Sequence, residues 1–179
     1  MRTNGTKSQE IATGFKLLRQ RGVRSGVSAL IASVALLSGC EDASGPPPTG
    51  VPEEFRFSQG GFGMASTIVE LHGDTLLKIT IPRNLFTPAD TARTQPSVEE
   101  WEGFWYEVHA AGIKHWRRQY LAEGVVDGSG WSLHIRWGRV AVSSQGSNAY
   151  PNAGGHEHEL HQTPAFARFV GAVGALMDR

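Results

Sequence analysis

The chain has a single cysteine, Cys40, and its position indicates that only the residues after it belong to the folded protein. The residues before it have the three parts of a secretion signal, namely a basic segment, a short apolar segment at 27–37 and the small residues Ser38 and Gly39. The apolar segment is well short of the ~20 residues that span a bilayer. We therefore predict that residues 1–39 form a leader that is removed, and that the folded domain lies beyond them.

The leader ends on Leu37-Ser38-Gly39-Cys40, which has the form of a lipobox. Together with the basic and apolar segments, it resembles a bacterial lipoprotein signal peptide. This resemblance implies a diacylglycerol on the sulfur of Cys40 and a third acyl chain, such as palmitate, on its amine. Because two or more chains hold a protein stably on a membrane, we expect a lipid-anchored protein of the cell envelope, facing the periplasm or the cell surface. The alternative is an ordinary cleaved signal in which Cys40 is incidental.

Residues 40–54 are rich in proline and glycine and lack apolar periodicity, so we predict that they tether the lipidated cysteine to the domain. An extended proline-rich segment of this length would reach ~40 Å, at ~3.1 Å per residue. Residues 55–179 then fit a single domain of ordinary size.

The charge balance changes once the leader is removed. Residues 1–39 hold six of the 17 basic residues and one of the 17 acidic residues, which leaves 11 basic and 16 acidic residues and a formal net charge of −5. A negatively charged surface repels phosphate backbones, so nucleic acid is excluded as an expected partner. With no second cysteine, the mature part gains no disulfide in an oxidising compartment.

Alternating apolar and polar residues predict strands, most clearly at 131–137. Two runs rich in β-branched residues, 67–71 and 75–81, flank the turn residues 72–74 and predict a hairpin. We expect 84–96 to be a loop and lean to a strand at 113–120, where periodicity does not separate strand from helix.

Two helices are predicted from their starting signals. Ser97 and Glu100 have the spacing of a capping box, and Gly112 is a plausible stop for the helix that follows. Thr163 followed by Pro164 predicts the start of the last helix. The order of elements predicts an α+β domain, an antiparallel sheet of about four to six strands with two helices packed on one face.

The five tryptophans have two interpretations. Most lie at periodic positions, and large aromatic side chains dominate core burial, which favours a role in the core. The alternative is an exposed tryptophan-lined groove for a sugar or a peptide.

Several landmarks resemble a small uncharacterised bacterial domain, and the most specific is the Gly-Ser-Asn-Ala-Tyr-Pro segment at 146–151. The other landmarks are Ser97, Glu100, Trp101, Trp116, Tyr120, Asp127, Gly128, Trp131, Leu133 and Ile135. The resemblance implies the α+β fold and no established activity. The simpler interpretation of this segment is a loop that connects the last strand to the last helix. Alternatively, Asn148 and Tyr150 could bind a ligand. Residues 152–162 are an insertion relative to this pattern.

His156, His158 and His161 lie in that insertion with two glutamates between them. These side chains could ligate zinc, nickel or copper weakly. The spacing is not that of a helical zinc protease, which needs histidines four residues apart. A solvated polar loop is the simpler interpretation, and otherwise we expect no cofactor.

No catalytic constellation is recognisable in the sequence. Ser143, Ser144 and similar serines lie in strand or turn contexts without a nucleophile elbow. Asp127 and His134 could be neighbours across a strand, but Asp127 precedes Gly128 and is more simply explained as a turn residue. We therefore predict a non-enzymatic binding or interaction domain that meets an unknown envelope protein or ligand. The alternative is a metal-binding envelope lipoprotein that uses the three histidines.

Overall fold

The computed structural model describes residues 47–84, 86–125 and 127–178, apart from the side chains of residues 158 and 159. Cys40 and the predicted leader lie outside these ranges. The described chain is an α+β domain with a seven-stranded sheet, a two-stranded sheet and two α-helices. In chain order the elements are β1 (Glu54–Gly61), β2 (Ser66–His72), β3 (Thr75–Ile81), β4 (Asp90–Thr94), α1 (Val98–Ala110), a 3-10 turn (Ile113–His115), β5 (Gln119–Leu121), β6 (Ser129–Trp137), β7 (Val140–Ser147), β8 (Ala149–Pro151), β9 (Glu157–Glu159) and α2 (Pro164–Met177).

The large sheet has the strand order β4-β3-β2-β1-β6-β7-β5. All of its neighbours are antiparallel except β5, which runs parallel to β7. The predicted α+β class is confirmed, but the prediction of a purely antiparallel sheet with four to six strands is wrong. The extra strands are short edge strands, and such strands carry little of the apolar alternation that identifies a strand in a sequence.

Two segments differ locally from their predictions. The expected loop at 84–96 contains β4, whose first four residues are exposed and therefore show no apolar alternation. The segment at 113–120 begins with a 3-10 turn rather than a strand, and only its end joins β5. β5 pairs Tyr120 with Gly146, a contact between distant parts of the chain that local periodicity does not report.

The helix starts follow the capping signals in the sequence. The Ser97 hydroxyl accepts a 3.2 Å hydrogen bond from the Glu100 amide, and the Glu100 carboxylate accepts a 2.6 Å bond from the Ser97 amide. The Thr163 hydroxyl accepts a 3.1 Å bond from the Phe166 amide, with Pro164 as the first helical residue. The predicted capping box and both predicted helix starts are therefore confirmed.

The core is an aromatic cluster between the sheet and the helices. Phe55 and Phe57 alternate on β1, and their rings contact Phe104 of α1 at 5.6 Å and Phe169 of α2 at 5.1 Å between centroids. Edge-to-face pairs of this kind stabilise by about 1 kcal/mol beyond the area that they bury.

The tryptophans belong to this core. Trp101, Trp105, Trp116 and Trp131 are each less than 7% exposed. Trp137 is half-buried, and its ring lies 5.1 Å from that of Trp105. The interpretation of the tryptophans as an exposed groove is therefore wrong, because burial against one another removes their faces from solvent.

Residues upstream of β1 also pack on the domain. The Gly50 carbonyl accepts a 2.6 Å hydrogen bond from the Trp105 indole nitrogen, and Pro52 is buried. Glu53 forms an ion pair with Arg136 of β6. The contacts of the domain thus extend upstream of residue 55, into the segment predicted as a tether.

Replacing Gly112 by alanine is expected to lower the free energy of unfolding by at least about 3 kcal/mol. Gly112 has φ 70°, and an added Cβ would lie 2.0 Å from the Ala153 carbonyl oxygen. Gly73→Ala is the matched control, since Gly73 has φ 67° and nothing within 4 Å of that position. The control is expected to lose only about 1–2 kcal/mol, the cost of a left-handed backbone. Equilibrium denaturation measures both, and equal losses would contradict the close approach at Gly112.

Candidate binding site

The candidate site lies on the face of the large sheet that points away from the aromatic core. Side chains alternate along a strand, so the residues between the core positions of β1, β6 and β7 share this second face. They form an array of polar groups across the three central strands: Glu54, Arg56, Ser58, Ser132, His134, Arg136, Ser143 and Gln145. The strand register places Arg56 beside His134 and His134 beside Ser143. We call this surface the polar face.

A continuous chain of hydrogen bonds fixes the imidazole of His134 on the polar face. Its Nε2 lies 2.7 Å from a carboxylate oxygen of Glu54, and its Nδ1 lies 2.8 Å from the hydroxyl of Ser143. The other Glu54 oxygen accepts bonds of 2.9 and 2.7 Å from the Arg136 guanidinium. The ring therefore has one orientation, held from both sides.

The serine, histidine and glutamate in this chain are the residue types of a hydrolytic triad, but their arrangement differs from one. The hydroxyl meets Nδ1 and the carboxylate meets Nε2, which is the reverse of the serine protease arrangement. Ser143 lies inside a strand rather than on a sharp turn. The side chains of His134 and Glu54 are 41% and 48% exposed, so desolvation adds little to their interaction. This series of hydrogen bonds is better suited to holding polar groups in place than to activating a nucleophile.

A shallow pocket of about 240 Å³ opens on the polar face beside this chain. The residues that line it are polar or charged except for Leu133: Arg56, Arg118, Ser132, Leu133, His134, Ser143, Ser144 and Gln145. Arg56 pairs with Glu70 at 3.0 Å. Arg118 is exposed and has no ion-pair partner among the side chains that the structure describes. We call this cavity the arginine pocket.

Asn148 and Tyr150, the predicted ligand loop, lie apart from the arginine pocket and are buried. Asn148 has φ 52°, its amide donates to the Ser129 carbonyl at 2.9 Å, and its side-chain oxygen accepts from the Ser129 amide at 2.8 Å. The Tyr150 hydroxyl bonds to the Ser129 hydroxyl. Tyr150 also lines a cavity of about 100 Å³ with Trp131. These contacts connect β8 to the start of β6, and a ligand role for the loop stays a prediction.

The histidine cluster lies on the hairpin formed by β8 and β9. His156 and His161 are exposed, and the carboxylate of Glu157 accepts a 2.8 Å bond from the Leu121 amide. Among the side chains that are described, no three metal-ligating groups come together. The His158 side chain lies outside that description, so the predicted site formed by the three histidines is not tested. Cys40, the predicted lipidation site, also lies outside the described residues.

Alternation along a strand predicts the core side of this sheet but not the groups that meet on its polar face. The alternation at 131–137 identifies the core positions, whereas the polar residues between them do not show which strands lie beside them. Glu54 is 80 residues from His134, and no local signal links the two. No sequence pattern points to Arg118, because it precedes β5, in a segment where periodicity does not separate strand from helix.

No protein-family model matches this chain, and no curated protein matches it significantly. The two resemblances read from the sequence therefore stay predictions.

The hairpin is tied to the rest of the domain by Tyr120. Its hydroxyl donates to the Gly155 carbonyl at 3.0 Å and accepts from the Arg117 amide at 2.6 Å. Burial raises the pKa of the Tyr120 phenol above its ordinary value, an effect that the bond from the Arg117 amide and the charge of Arg117 partly offset. The folded state thus favours the neutral phenol.

Tyr120→Phe is expected to lower the free energy of unfolding by about 1–3 kcal/mol, since it leaves a buried carbonyl and an amide without their partner. A pKa raised by folding contributes stability that is complete below the ordinary pKa of about 10 and is lost as the pH rises through the folded value. The variant should lack this alkaline loss. Urea unfolding at neutral pH and above pH ~10 measures both effects.

Tyr106→Phe is the matched control, because Tyr106 is 65% exposed and makes neither bond. It should change the stability at neutral pH by less than about 0.5 kcal/mol. A Tyr120→Phe variant as stable as the control would contradict the tie between the hairpin and β5.

Proposed function

We propose that this chain is a lipid-anchored bacterial envelope protein whose domain binds a ligand or partner through the polar face, without catalysis. The arginine pocket is the observation that carries the binding part of this proposal. It combines a guanidinium lacking an ion-pair partner among the described residues with the amide of Gln145 and with hydroxyl and imidazole groups that hydrogen bonds hold on the sheet. A few convergent polar groups on a rigid frame are typical of ligand sites.

The arrangement of the helices supports the polar face as the free surface. We infer that α1 and α2 both cover one face of the large sheet. Phe55 and Phe57 are two residues apart on β1 and therefore share a face, and one contacts α1 while the other contacts α2. This packing leaves Arg56, between them, on the opposite face with the rest of the polar array.

The anchor is proposed from the sequence of the leader. Cys40 follows a basic segment, an apolar segment and two small residues in the order that a lipoprotein signal requires. Within the described residues, neither helix is long and apolar enough to cross a membrane. The expected partners are the membrane, through the acyl chains on Cys40, and an unknown envelope protein or ligand. A net charge of −5 without the leader disfavours nucleic acid.

Exposed loops offer a further contact surface to a protein partner. Phe62, Met64 and Phe86 are 77%, 57% and 96% exposed. Phe62 and Met64 lie in the turn after β1, and Phe86 follows β3. Because Ser66 pairs with Ile81, these two loops meet at the same end of the sheet. Exposed apolar side chains grouped in this way are typical of interaction surfaces.

A second candidate function is weak binding of zinc, nickel or copper by His156, His158 and His161. The observation that favours it is β9, which pairs with β8 and orders part of the cluster before any metal arrives. Prior ordering of the backbone reduces the entropy that metal binding would otherwise cost.

Lipidation of Cys40 is tested by metabolic labelling with palmitate in a bacterial host, followed by mass spectrometry of the mature N-terminus. The wild-type chain should carry label, start at Cys40 and sediment with membranes. Cys40→Ala should lose all label, because no other cysteine is present. Ser38→Ala keeps a small residue before the cysteine and should stay labelled. Unlabelled wild-type protein with its leader intact in the cytosol would overturn the anchored function.

Metal binding is tested by calorimetry of the full chain in detergent with zinc, nickel and copper. If the histidines form a site, the wild-type chain gives a saturable heat that His156→Ala, His158→Ala and His161→Ala together abolish. His72→Ala removes a histidine from β2 instead and should leave the heat unchanged. The metal function would be removed by an absent heat, or by the same heat in the triple variant.

A further inference from the structure

We propose that the arginine pocket binds an acidic saccharide, a hydroxyl-rich ring of the uronic acid type, with its carboxylate on Arg118. This inference rests on the proposed function only in using the polar face as the binding surface. It names the class of ligand that the pocket fits, from the charges at its two ends, the groups between them and its size.

The two arginines stand on opposite sides of the pocket. Arg56 belongs to β1 and Arg118 immediately precedes β5, while β6 and β7 lie between these strands. Three strand spacings of ~4.8 Å put the two backbones ~14 Å apart. The side chains therefore bracket a ligand that is extended across the strands.

Arg118 is the stronger site for an anion. The guanidinium of Arg56 gives one bond to Glu70 at 3.0 Å, which neutralises it in part. Glu54, the nearest acid to His134, is bound by the guanidinium of Arg136. Arg118 has no such acid among the described residues, and its fork of five N–H groups matches a carboxylate.

The floor between the arginines suits a ligand with many hydroxyl groups. Ser132 and Ser143 present hydroxyls, and Gln145 presents an amide that can both donate and accept. Ser132 and Ser143 are held by bonds of 2.8 Å to Ser58 and His134, so each has a fixed position. The lining contains no phenylalanine, tyrosine or tryptophan, and it therefore offers no large aromatic face for an apolar ring to stack on.

The size of the pocket limits the ligand to about one ring. Its volume of about 240 Å³ is smaller than the ~300–1,000 Å³ of sites for drug-sized ligands. The pocket is also open to solvent along the sheet, and a longer chain could continue beyond it. We therefore expect recognition of a single acidic unit, free or within a polymer.

Saturation-transfer NMR on the acylated full chain in detergent tests this inference, with glucuronate, glucose and acetate as probes. Glucuronate should give saturable transfer to its ring protons, at least about tenfold tighter than glucose, since a charge-assisted pair is worth about 1.4 kcal/mol. Arg118→Gln should weaken glucuronate binding about tenfold. Arg139→Gln removes the same charge at the turn between β6 and β7, outside the pocket, and should have no effect.

Each other outcome overturns the inference in a distinct way. Glucose binding as tightly as glucuronate would show that the carboxylate is not recognised. Acetate competing as well as glucuronate would show that the saccharide ring is not recognised. An Arg118→Gln variant that melts like wild type and binds as tightly would place the ligand elsewhere. Acylated, folded protein that binds none of the three probes would overturn this inference alone. A chain that is never acylated overturns the anchored function instead.

Discussion

The antiparallel pairing of β1 with β6 is the interaction on which both faces of the large sheet depend. It spans eight residue pairs and joins the N-terminal strands β1–β4 to β6, β7 and β5. The register sets Phe57 opposite Leu133 on the core side and Arg56 opposite His134 on the polar side. A slip of one residue would exchange the two faces, burying Arg56 and exposing Phe57. The aromatic core and the arginine pocket are therefore set by one register.

Trp131 shows how the core fixes the connection that follows β7. Its indole nitrogen donates to the Ala149 carbonyl at 2.9 Å, and its ring lies 4.9 Å from that of Phe166 in α2. A Cβ at Gly146 would meet the indole nitrogen at 2.2 Å, so the backbone must pass there without a side chain. The Gly-Ser-Asn-Ala-Tyr-Pro segment is thus shaped by a buried tryptophan on the neighbouring strand.

The elements that could be predicted are those whose signals are local. The capping box at Ser97, the start of α2 at Thr163 and the alternation of β6 each depend on residues within about one turn or strand. Strand β5 has only three residues and pairs with β7, so its order depends on residues more than 20 positions further along the chain. The arginine pocket could not be predicted for the same reason, because only the strand order brings Arg56 and Arg118 to the same pocket. The polar residues of β6 can be recognised in the sequence, but the residues of β1 and β7 that lie beside them cannot.

The polar face differs from a loop site in how little it must reorganise to bind a ligand. Its histidine, serines and Arg136 are already held by protein partners, so their positions cost little further conformational entropy. The Arg118 guanidinium is the exception, since water rather than a described carboxylate must satisfy its donors. A ligand carboxylate that replaces this water makes a charge-assisted pair without breaking an ion pair in the described protein. Binding at this position therefore gains an ion pair that no described carboxylate makes with Arg118, whereas binding at Arg56 would compete with Glu70.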